Sequence, residues 1–243
     1  MATIADNLQT VRARLARACA AAGRDPAAVR LLAVSKTFGP AAVAEAAAAG
    51  QRAFGENYVQ EGVEKIAALH EAGVAGLEWH CIGPLQSNKT RLVAEHFDWV
   101  QSVDRLKIAQ RLSEQRPAHR PALQVCLQVN VDGAPTKAGV APAEALALAQ
   151  AVAALPRLRL RGLMCIPDPQ PNAAAMRRVF AQAAQLFHQL RAQLGAPADF
   201  DTLSLGMSDD LELAIAEGST LVRVGSAIFG RRASAATPAD PGA

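Results

Sequence analysis

One lysine near the start of the chain stands where its side chain could act as a nucleophile. The apolar segment Leu31-Leu32-Ala33-Val34-Ser35 ends at Lys36. A short apolar run of this kind predicts a buried strand, and alternation along a strand places Leu32, Val34 and Lys36 on one face. An amine at the mouth of an apolar sheet loses solvation, which favours the neutral form that attacks a carbonyl group. The alternative is a lysine that simply reaches out to water.

Two loops near the end of the sequence could bind an anion. Gly206, Met207 and Ser208 follow one apolar segment and precede a predicted helix, and Gly225 and Ser226 follow the next apolar segment. Backbone N–H groups and a hydroxyl at such a junction can bind phosphate. Each loop taken alone is better explained by ordinary turns and N-cap residues than by a phosphate site. Together, at neighbouring strand ends, they favour a phosphate site.

The alternation of strands and helices determines where these residues lie. A helix-compatible segment follows each of the first seven of eight predicted strands, which are 31–36, 52–55, 78–83, 98–102, 123–130, 158–164, 202–206 and 220–225. Eight such units in about 250 residues match a single (β/α)8 TIM-type barrel, whose ligands bind at the carboxyl ends of the strands. An open doubly wound sheet is disfavoured, because no GxGxxG motif follows the first strand.

A closed barrel would bring the first strand beside the eighth, and therefore Lys36 beside the phosphate loops. A ligand with both an aldehyde and a phosphate would bridge them, and pyridoxal 5′-phosphate (PLP) is that ligand. Lys36 would hold PLP as a Schiff base. Arg223, on the same strand face as Gly225, would donate to the ring nitrogen of PLP. Because a guanidinium cannot leave that nitrogen protonated, PLP here would be a poor electron sink.

The domain organisation is predicted to be simple. The amphipathic segment 4–22 predicts an extra N-terminal helix before the barrel. We expect one barrel domain at 1–232 and a disordered tail at 233–243, which is rich in Ala, Pro and Gly. Only a short stretch follows the eighth strand, so we expect no C-terminal β domain.

Composition and charge exclude several classes of protein. The 243 residues are 51% hydrophobic and 19% charged, which is typical of a globular protein. A net charge of +3 without a basic stripe argues against nucleic-acid binding. No apolar run approaches the ~18 residues of a membrane span, and no signal peptide is recognisable. The four cysteines form no CxxC pair, so neither a zinc site nor a disulfide framework is predicted. We expect a cytoplasmic protein without a metal.

Six motifs, in order along the chain, resemble those of the pyridoxal phosphate homeostasis protein family. They are LLAVSKT at 31–37, FGENY at 54–58, HCIGPLQSNK at 80–89, RGLM at 161–164, LGMSDD at 205–210 and VRVGSAIFG at 222–230. The resemblance covers nearly the whole chain up to Arg232. It also extends to the barrel domain of alanine racemase, which implies the same fold.

The resemblance implies a protein that holds PLP as a Schiff base and serves vitamin B6 homeostasis without being a demonstrated enzyme. It implies the cofactor-binding residues Lys36, Asn57, Gly206, Met207, Ser208, Arg223, Gly225 and Ser226. Lys137 matches a family lysine thought to take part in handing PLP on, although a solvated loop lysine is an equal alternative. The implied partners are PLP and apo forms of PLP-dependent enzymes, and the implied state is a monomer.

Two other functions remain open at this point. A PLP-dependent racemase or decarboxylase of the alanine racemase type is one of them. A racemase needs an acid or base on each face of its substrate, and Tyr58 is the only tyrosine in the sequence. The other function is non-covalent binding of a different phosphate ester, with Lys36 as a counter-ion. His80 is predicted to be a hydrogen-bonded core residue rather than a general base.

Overall fold

The computed structural model describes residues 2–230, and every structural statement here concerns that range. Eight parallel strands close into a barrel in which each strand pairs with its sequence neighbour and β8 pairs with β1. The strands are β1 Arg30–Val34, β2 Ala53–Glu56, β3 Glu78–Cys81, β4 Trp99–Val103, β5 Leu123–Gln128, β6 Leu158–Met164, β7 Thr202–Ser204 and β8 Leu221–Val224. The predicted barrel end at 232 and the predicted tail at 233–243 lie outside the described residues.

Helices surround the barrel, and one precedes it. They are α1 Ile4–Ala21, α2 Pro40–Ala48, α3 Val59–Glu71, α4 Thr90–His96, α5 Leu106–Gln115, α6 Ala145–Ala153, α7 Ala173–Gln193, α8 Leu211–Ala216 and α9 Ser226–Phe229. Single turns of 3-10 helix occur at Pro26–Ala28, Ser87–Lys89 and Pro142–Glu144. Within residues 2–230, none of the helices is both long enough and apolar enough to cross a membrane.

The predicted (β/α)8 TIM-type barrel is confirmed, as are all eight strands. Their observed ends differ from the predicted ones by two residues at most. The prediction that Lys36 belongs to the first strand is wrong, because β1 ends at Val34. The chain turns directly afterwards: Phe38 donates its N–H to the Ser35 carbonyl over 3.1 Å, and Thr37 has a φ of 68°.

Alternation along the strands separates two apolar layers. Outward-facing side chains such as Ala33, Val125 and Leu163 are buried against the helices in the main core. Inward-facing side chains fill the barrel itself, where Leu32 and Ile82 belong to a smaller cluster on the β1 to β3 side. Because the interior is filled, ligand space is confined to the rim of the barrel.

Helix α1 is fastened to the carboxyl-end loops, and its prediction is confirmed. A capping box between Thr3 and Asp6 begins the helix. Arg14 forms a bidentate pair with Glu212 and also donates to the Ser208 carbonyl over 3.1 Å. The extra helix therefore supports one of the predicted phosphate loops from outside the barrel.

Gly162 lets the backbones of β6 and β7 approach each other closely. This contact leads to a prediction about the stability of the protein. A Cβ atom at Gly162 would lie 1.9 Å from the Thr202 carbonyl oxygen, and Gly162 has a φ of 147°. Gly162→Ala is expected to lower the free energy of unfolding by about 3 kcal/mol or more. Gly73→Ala is the matched control, because Gly73 has a φ of 73° and a Cβ atom there would meet nothing within 4 Å. It should cost about 1 kcal/mol. Urea unfolding followed by circular dichroism measures both, and equal losses would contradict the expectation.

Candidate functional site

A cavity of about 510 Å³ lies at the carboxyl ends of the barrel strands. Of the predicted site residues, seven line it: Lys36, Asn57, Met207, Ser208, Arg223, Gly225 and Ser226. Its remaining lining residues are Val34, Phe38, Ile82, Ile166, Asp209 and Gly230. The structure therefore gathers residues from opposite ends of the sequence around one space.

Gly206 is the predicted site residue that does not line this cavity. It has a φ of 85°, a left-handed conformation that a side chain would strain. A Cβ atom at Gly206 would also lie 2.5 Å from the Cβ of Ala214 in α8. Gly206 therefore shapes the loop between β7 and α8 and lets α8 pack closely against it.

Two serine hydroxyls converge at one side of the cavity. The Oγ atoms of Ser208 and Ser226 are 3.3 Å apart, although 18 residues separate them in sequence. The backbone N–H of Met207 is already donated to Asp210 Oδ1 over 2.6 Å. The two hydroxyls and the Gly225 backbone between β8 and α9 are groups that an anion can contact, and Met207 is a lining residue whose N–H is already used.

Arg223 is held rigidly at the base of the cavity. Its side chain is buried in the barrel, where Nη1 donates to the carbonyl and the hydroxyl of Ser204 at 2.8 and 2.7 Å, and Nη2 donates to the Cys165 carbonyl at 2.9 Å. Burial lowers the pKa of Arg223 to about 10. The guanidinium therefore stays protonated near neutral pH, and these hydrogen bonds all reach neutral oxygen atoms.

A chain of hydrogen bonds continues from Arg223 through the barrel interior. Ser204 Oγ donates to Gln101 Oε1 over 2.7 Å, Gln101 Nε2 lies 2.9 Å from His80 Nδ1, and His80 Nε2 lies 2.7 Å from Glu78 Oε1. Burial lowers the pKa of His80, so its imidazole is neutral near neutral pH. Nδ1 then accepts from Gln101 and Nε2 donates to Glu78. The prediction of a hydrogen-bonded core histidine is confirmed.

Asn57 lines the cavity, and its side chain carries a buried acceptor without a partner among residues 2–230. Its Oδ1 atom is buried and has no hydrogen-bond partner in the described structure. Gly83 packs directly against this residue, because a Cβ atom at Gly83 would lie 2.2 Å from the Asn57 carbonyl oxygen. A buried acceptor of this kind requires a donor, and a ligand in the cavity can supply one.

The apolar walls of the cavity are the part that the sequence did not single out. Val34 is the last residue of β1, Ile82 directly follows β3, and Ile166 follows β6. Phe38 lines the rim and stacks on Phe229, with ring centroids 5.2 Å apart. These side chains suit the faces of a flat ring. Alternation along the strands could have indicated Ile82, but not which apolar side chains reach the rim.

The turn that carries Lys36 rests on a buried ion pair that the sequence did not reveal. Lys65 in α3 is 3% exposed, and its Nζ atom lies 2.6 Å from Glu56 Oε1. Ser35 Oγ donates to the same carboxylate oxygen over 2.5 Å. Burial raises the pKa of Glu56, and the bonds from Lys65 and Ser35 oppose that rise. Thr37 is one of the few non-glycine residues with positive φ, a conformation that costs of order 1–3 kcal/mol.

Lys137 is not brought to the cavity. Its Nζ atom lies 3.1 Å from Asp168 Oδ1, in a surface ion pair between two loops. Residues 2–230 also contain no cluster of His, Cys, Asp or Glu side chains that could hold a metal ion.

The fold and the arrangement of the site define a class of protein. A sequence model of the family described as "Alanine racemase, N-terminal domain" matches residues 3–233, so the chain is a barrel of that type. A protein of Pseudomonas aeruginosa named "Pyridoxal phosphate homeostasis protein" is 60% identical over 96% of this chain and 97% of its own length. A protein of the same name from Escherichia coli K12 is 56% identical over 96% and 98%. The chain belongs to the pyridoxal phosphate homeostasis protein family.

A solved structure agrees with this assignment. PipY of Synechococcus elongatus, whose structure is known with PLP bound, is 41% identical to this chain and aligns with a TM-score of 0.81. The alignment covers 94% of this chain and 100% of PipY. The similarity in both sequence and structure extends over a whole single-domain barrel.

The position of Glu78 supports a prediction about stability and pH. Burial would raise the pKa of Glu78, but His80 and Arg30 outweigh that effect and lower the pKa to about 2. Because this value is below the ordinary 4.5, charged Glu78 stabilises the fold above about pH 4.5, and this contribution is lost as the pH falls toward 2.

We therefore expect Glu78→Gln to destabilise the protein at pH 6 and progressively less below about pH 4.5. Urea unfolding of both proteins at a series of pH values measures this difference. Glu95→Gln is the control, since the Glu95 side chain makes a surface contact of 3.8 Å with Arg91, and the substitution leaves the Glu95 backbone carbonyl that accepts from Arg120 in place. A difference between wild type and Glu78→Gln that stays constant from pH 6 to 3 would refute the assignment.

Proposed function

We propose that the cavity binds PLP and that the protein is a PLP carrier in vitamin B6 homeostasis. One observation carries the proposal: an amine, a buried guanidinium and two converging hydroxyls face the same cavity, through Lys36, Arg223, Ser208 and Ser226. These are the groups that an aldehyde, a pyridine nitrogen and a phosphate require. The names of the relatives and the PLP-bound PipY structure support the same ligand.

Each group of this site is assigned a part in binding. Lys36 would hold PLP through its side-chain amine, and PLP would supply the aldehyde for a Schiff base there. The hydroxyls of Ser208 and Ser226 and the Gly225 backbone bind the phosphate. Arg223 donates to the ring nitrogen, and Met207 packs on the ligand from the cavity wall.

Asn57 and Gly206 complete the proposed site in different ways. The unpaired Oδ1 atom of Asn57 accepts a hydrogen bond from the ligand or from a water molecule bound with it. Gly206 acts indirectly, because its left-handed backbone fixes the loop that carries Ser208. Both residues would therefore be needed for affinity rather than for the covalent bond.

A carrier rather than a racemase is proposed because of the cavity's ionisable groups. Among the residues that line it, the ionisable side chains are Lys36, Asp209 and Arg223. A racemase needs an acid or base on each face of its substrate, and apart from the Asp209 carboxylate the lining offers no such group opposite Lys36, in particular no tyrosine. Tyr58 is 58% exposed and is not among the lining residues. Incubation with amino acids in D₂O separates the two functions, since a racemase exchanges the α-hydrogen and a carrier does not.

The proposed carrier works in the cytoplasm as a monomer and passes PLP to apo forms of PLP-dependent enzymes. Transfer of PLP to an apo-enzyme, followed by the recovery of that enzyme's activity, tests the role as a donor.

Lys36→Ala is expected to abolish covalent PLP binding while the fold is retained, since the phosphate-binding groups lie in the separate loops after β7 and β8. Borohydride reduction of the PLP-treated protein, followed by peptide mass mapping, measures the covalent bond. Lys137→Ala is the control, because Lys137 pairs with Asp168 outside the cavity. It should keep a full label on Lys36. A label that persists in the Lys36→Ala protein would show that another lysine is the covalent site.

Arg223→Ala is expected to keep the covalent bond to Lys36 but to change the absorption spectrum of the bound PLP. The reason is that the ring nitrogen loses its cationic donor, so the electron distribution of the ring changes. The visible spectrum before and after substitution measures the effect. An unchanged spectrum at full PLP occupancy would mean that Arg223 does not face the ring.

A further inference from the structure

The backbone on both sides of Lys36 is anchored to side chains of other elements. On the preceding side, the Ser35 hydroxyl bonds to Glu56, and the Ser35 carbonyl accepts from Lys65 Nζ over 2.9 Å. On the following side, the Thr37 N–H donates to Glu61 Oε1 over 2.6 Å. The backbone position of Lys36 is therefore set by hydrogen bonds on both sides of it.

The anchors on helix α3 form one unit. Glu61 and Lys65 are one helical turn apart, which places their side chains on the same face, and the Nζ and Oε1 atoms are 3.1 Å apart. Lys65 also bonds to the buried Glu56, so its ammonium has a fixed position. Lys65 therefore fixes the Glu61 carboxylate that accepts the hydrogen bond from the Thr37 N–H.

The turn needs this support because Thr37 adopts an unfavourable conformation. Its φ is 68°, in the left-handed region that β-branched residues rarely occupy. The Thr37 side chain is exposed, so its own packing does not fix the backbone. The hydrogen bond to Glu61 is the contact that holds the Thr37 N–H in this orientation. The turn is also closed by the Phe38 N–H, which donates to the Ser35 carbonyl over 3.1 Å, so Glu61 is the residue that supports the turn at Thr37 from another element.

We propose that Glu61 is a positioning residue that keeps the Lys36 turn in its strained, binding-competent conformation, with Lys65 fixing Glu61. This inference rests on the proposed function, because it assigns a role toward the residue that bonds to PLP. If only a fraction of the molecules hold the competent turn, the apparent affinity for PLP falls by that fraction.

Four variants separate this role from a general loss of stability. Glu61→Ala removes the acceptor, and Glu61→Gln keeps an oxygen that can accept from Thr37. Glu64→Ala is the matched control on the same helix, since Glu64 is exposed and bonds only to Gln60, over 3.1 Å. Thr37→Gly in the Glu61→Ala background removes the conformational penalty at position 37, because glycine adopts positive φ readily.

Equilibrium titration with PLP, followed by absorbance, is the first measurement. Glu61→Ala is expected to weaken the apparent affinity about tenfold, the lower end of what one strained residue is worth. Glu61→Gln should lose much less affinity, and Glu64→Ala should keep the wild-type affinity. The double variant Glu61→Ala with Thr37→Gly should regain most of the affinity. A purely structural role of Glu61 predicts no such rescue.

The second measurement needs no PLP at all. Amide hydrogen exchange at Thr37 in the PLP-free protein, resolved by NMR, should become faster in Glu61→Ala and stay slow in Glu61→Gln and Glu64→Ala. Wild-type affinity of Glu61→Ala, or failure of glycine at position 37 to restore it, would overturn the inference.

The two proposals fail in different ways. If the wild-type protein takes up no PLP, the proposed function fails, and the exchange measurement still decides whether Glu61 holds the turn. If the wild type binds PLP through Lys36 and Glu61→Ala binds it equally well, only the positioning role is refuted.

Discussion

Closure of the sheet between β1 and β8 is the constraint on which the rest of the structure depends. In that pairing Leu32 stands opposite Arg223, and Ala33 opposite Val224. The register brings the turn after β1 beside the loop after β8, so that Lys36, Arg223 and Ser226 border one cavity. If that pairing did not form, these groups would belong to opposite ends of an open sheet, and no ligand could contact all of them.

The barrel and most of its site could be predicted because both follow from short-range patterns. Strand and helix periodicity indicates eight strand–helix units. Because ligands bind at the carboxyl ends of barrel strands, residues that are distant in sequence are then predicted to share one site. Seven of the eight predicted site residues line the cavity. Arg223 was placed correctly because alternation on a strand as short as β8 leaves no doubt about the inward face.

The predictions from sequence fail where side-chain hydrogen bonds, and not the apolar periodicity of the sequence, decide the local conformation. Periodicity extends β1 through Lys36, whereas the chain turns at that point, where Glu56 and Glu61 accept from Ser35 and Thr37 and Lys65 donates to the Ser35 carbonyl. Nothing in the spacing of the sequence pairs a helix lysine with a strand glutamate. Likewise the loop sequence predicts that the Met207 N–H can bind an anion, whereas in the structure this N–H donates to Asp210. Partners of this kind are decided by tertiary packing.

The order of the site along the chain has a consequence for the protein's synthesis. The lysine emerges from the ribosome among the first residues, whereas Arg223, Gly225 and Ser226 emerge near the end. Contacts between such distant segments form slowly, since a long loop must close first. A nascent chain therefore presents Lys36 before the opposite side of the cavity exists, and a ligand that binds only the closed barrel can stabilise the finished protein but cannot guide its early folding.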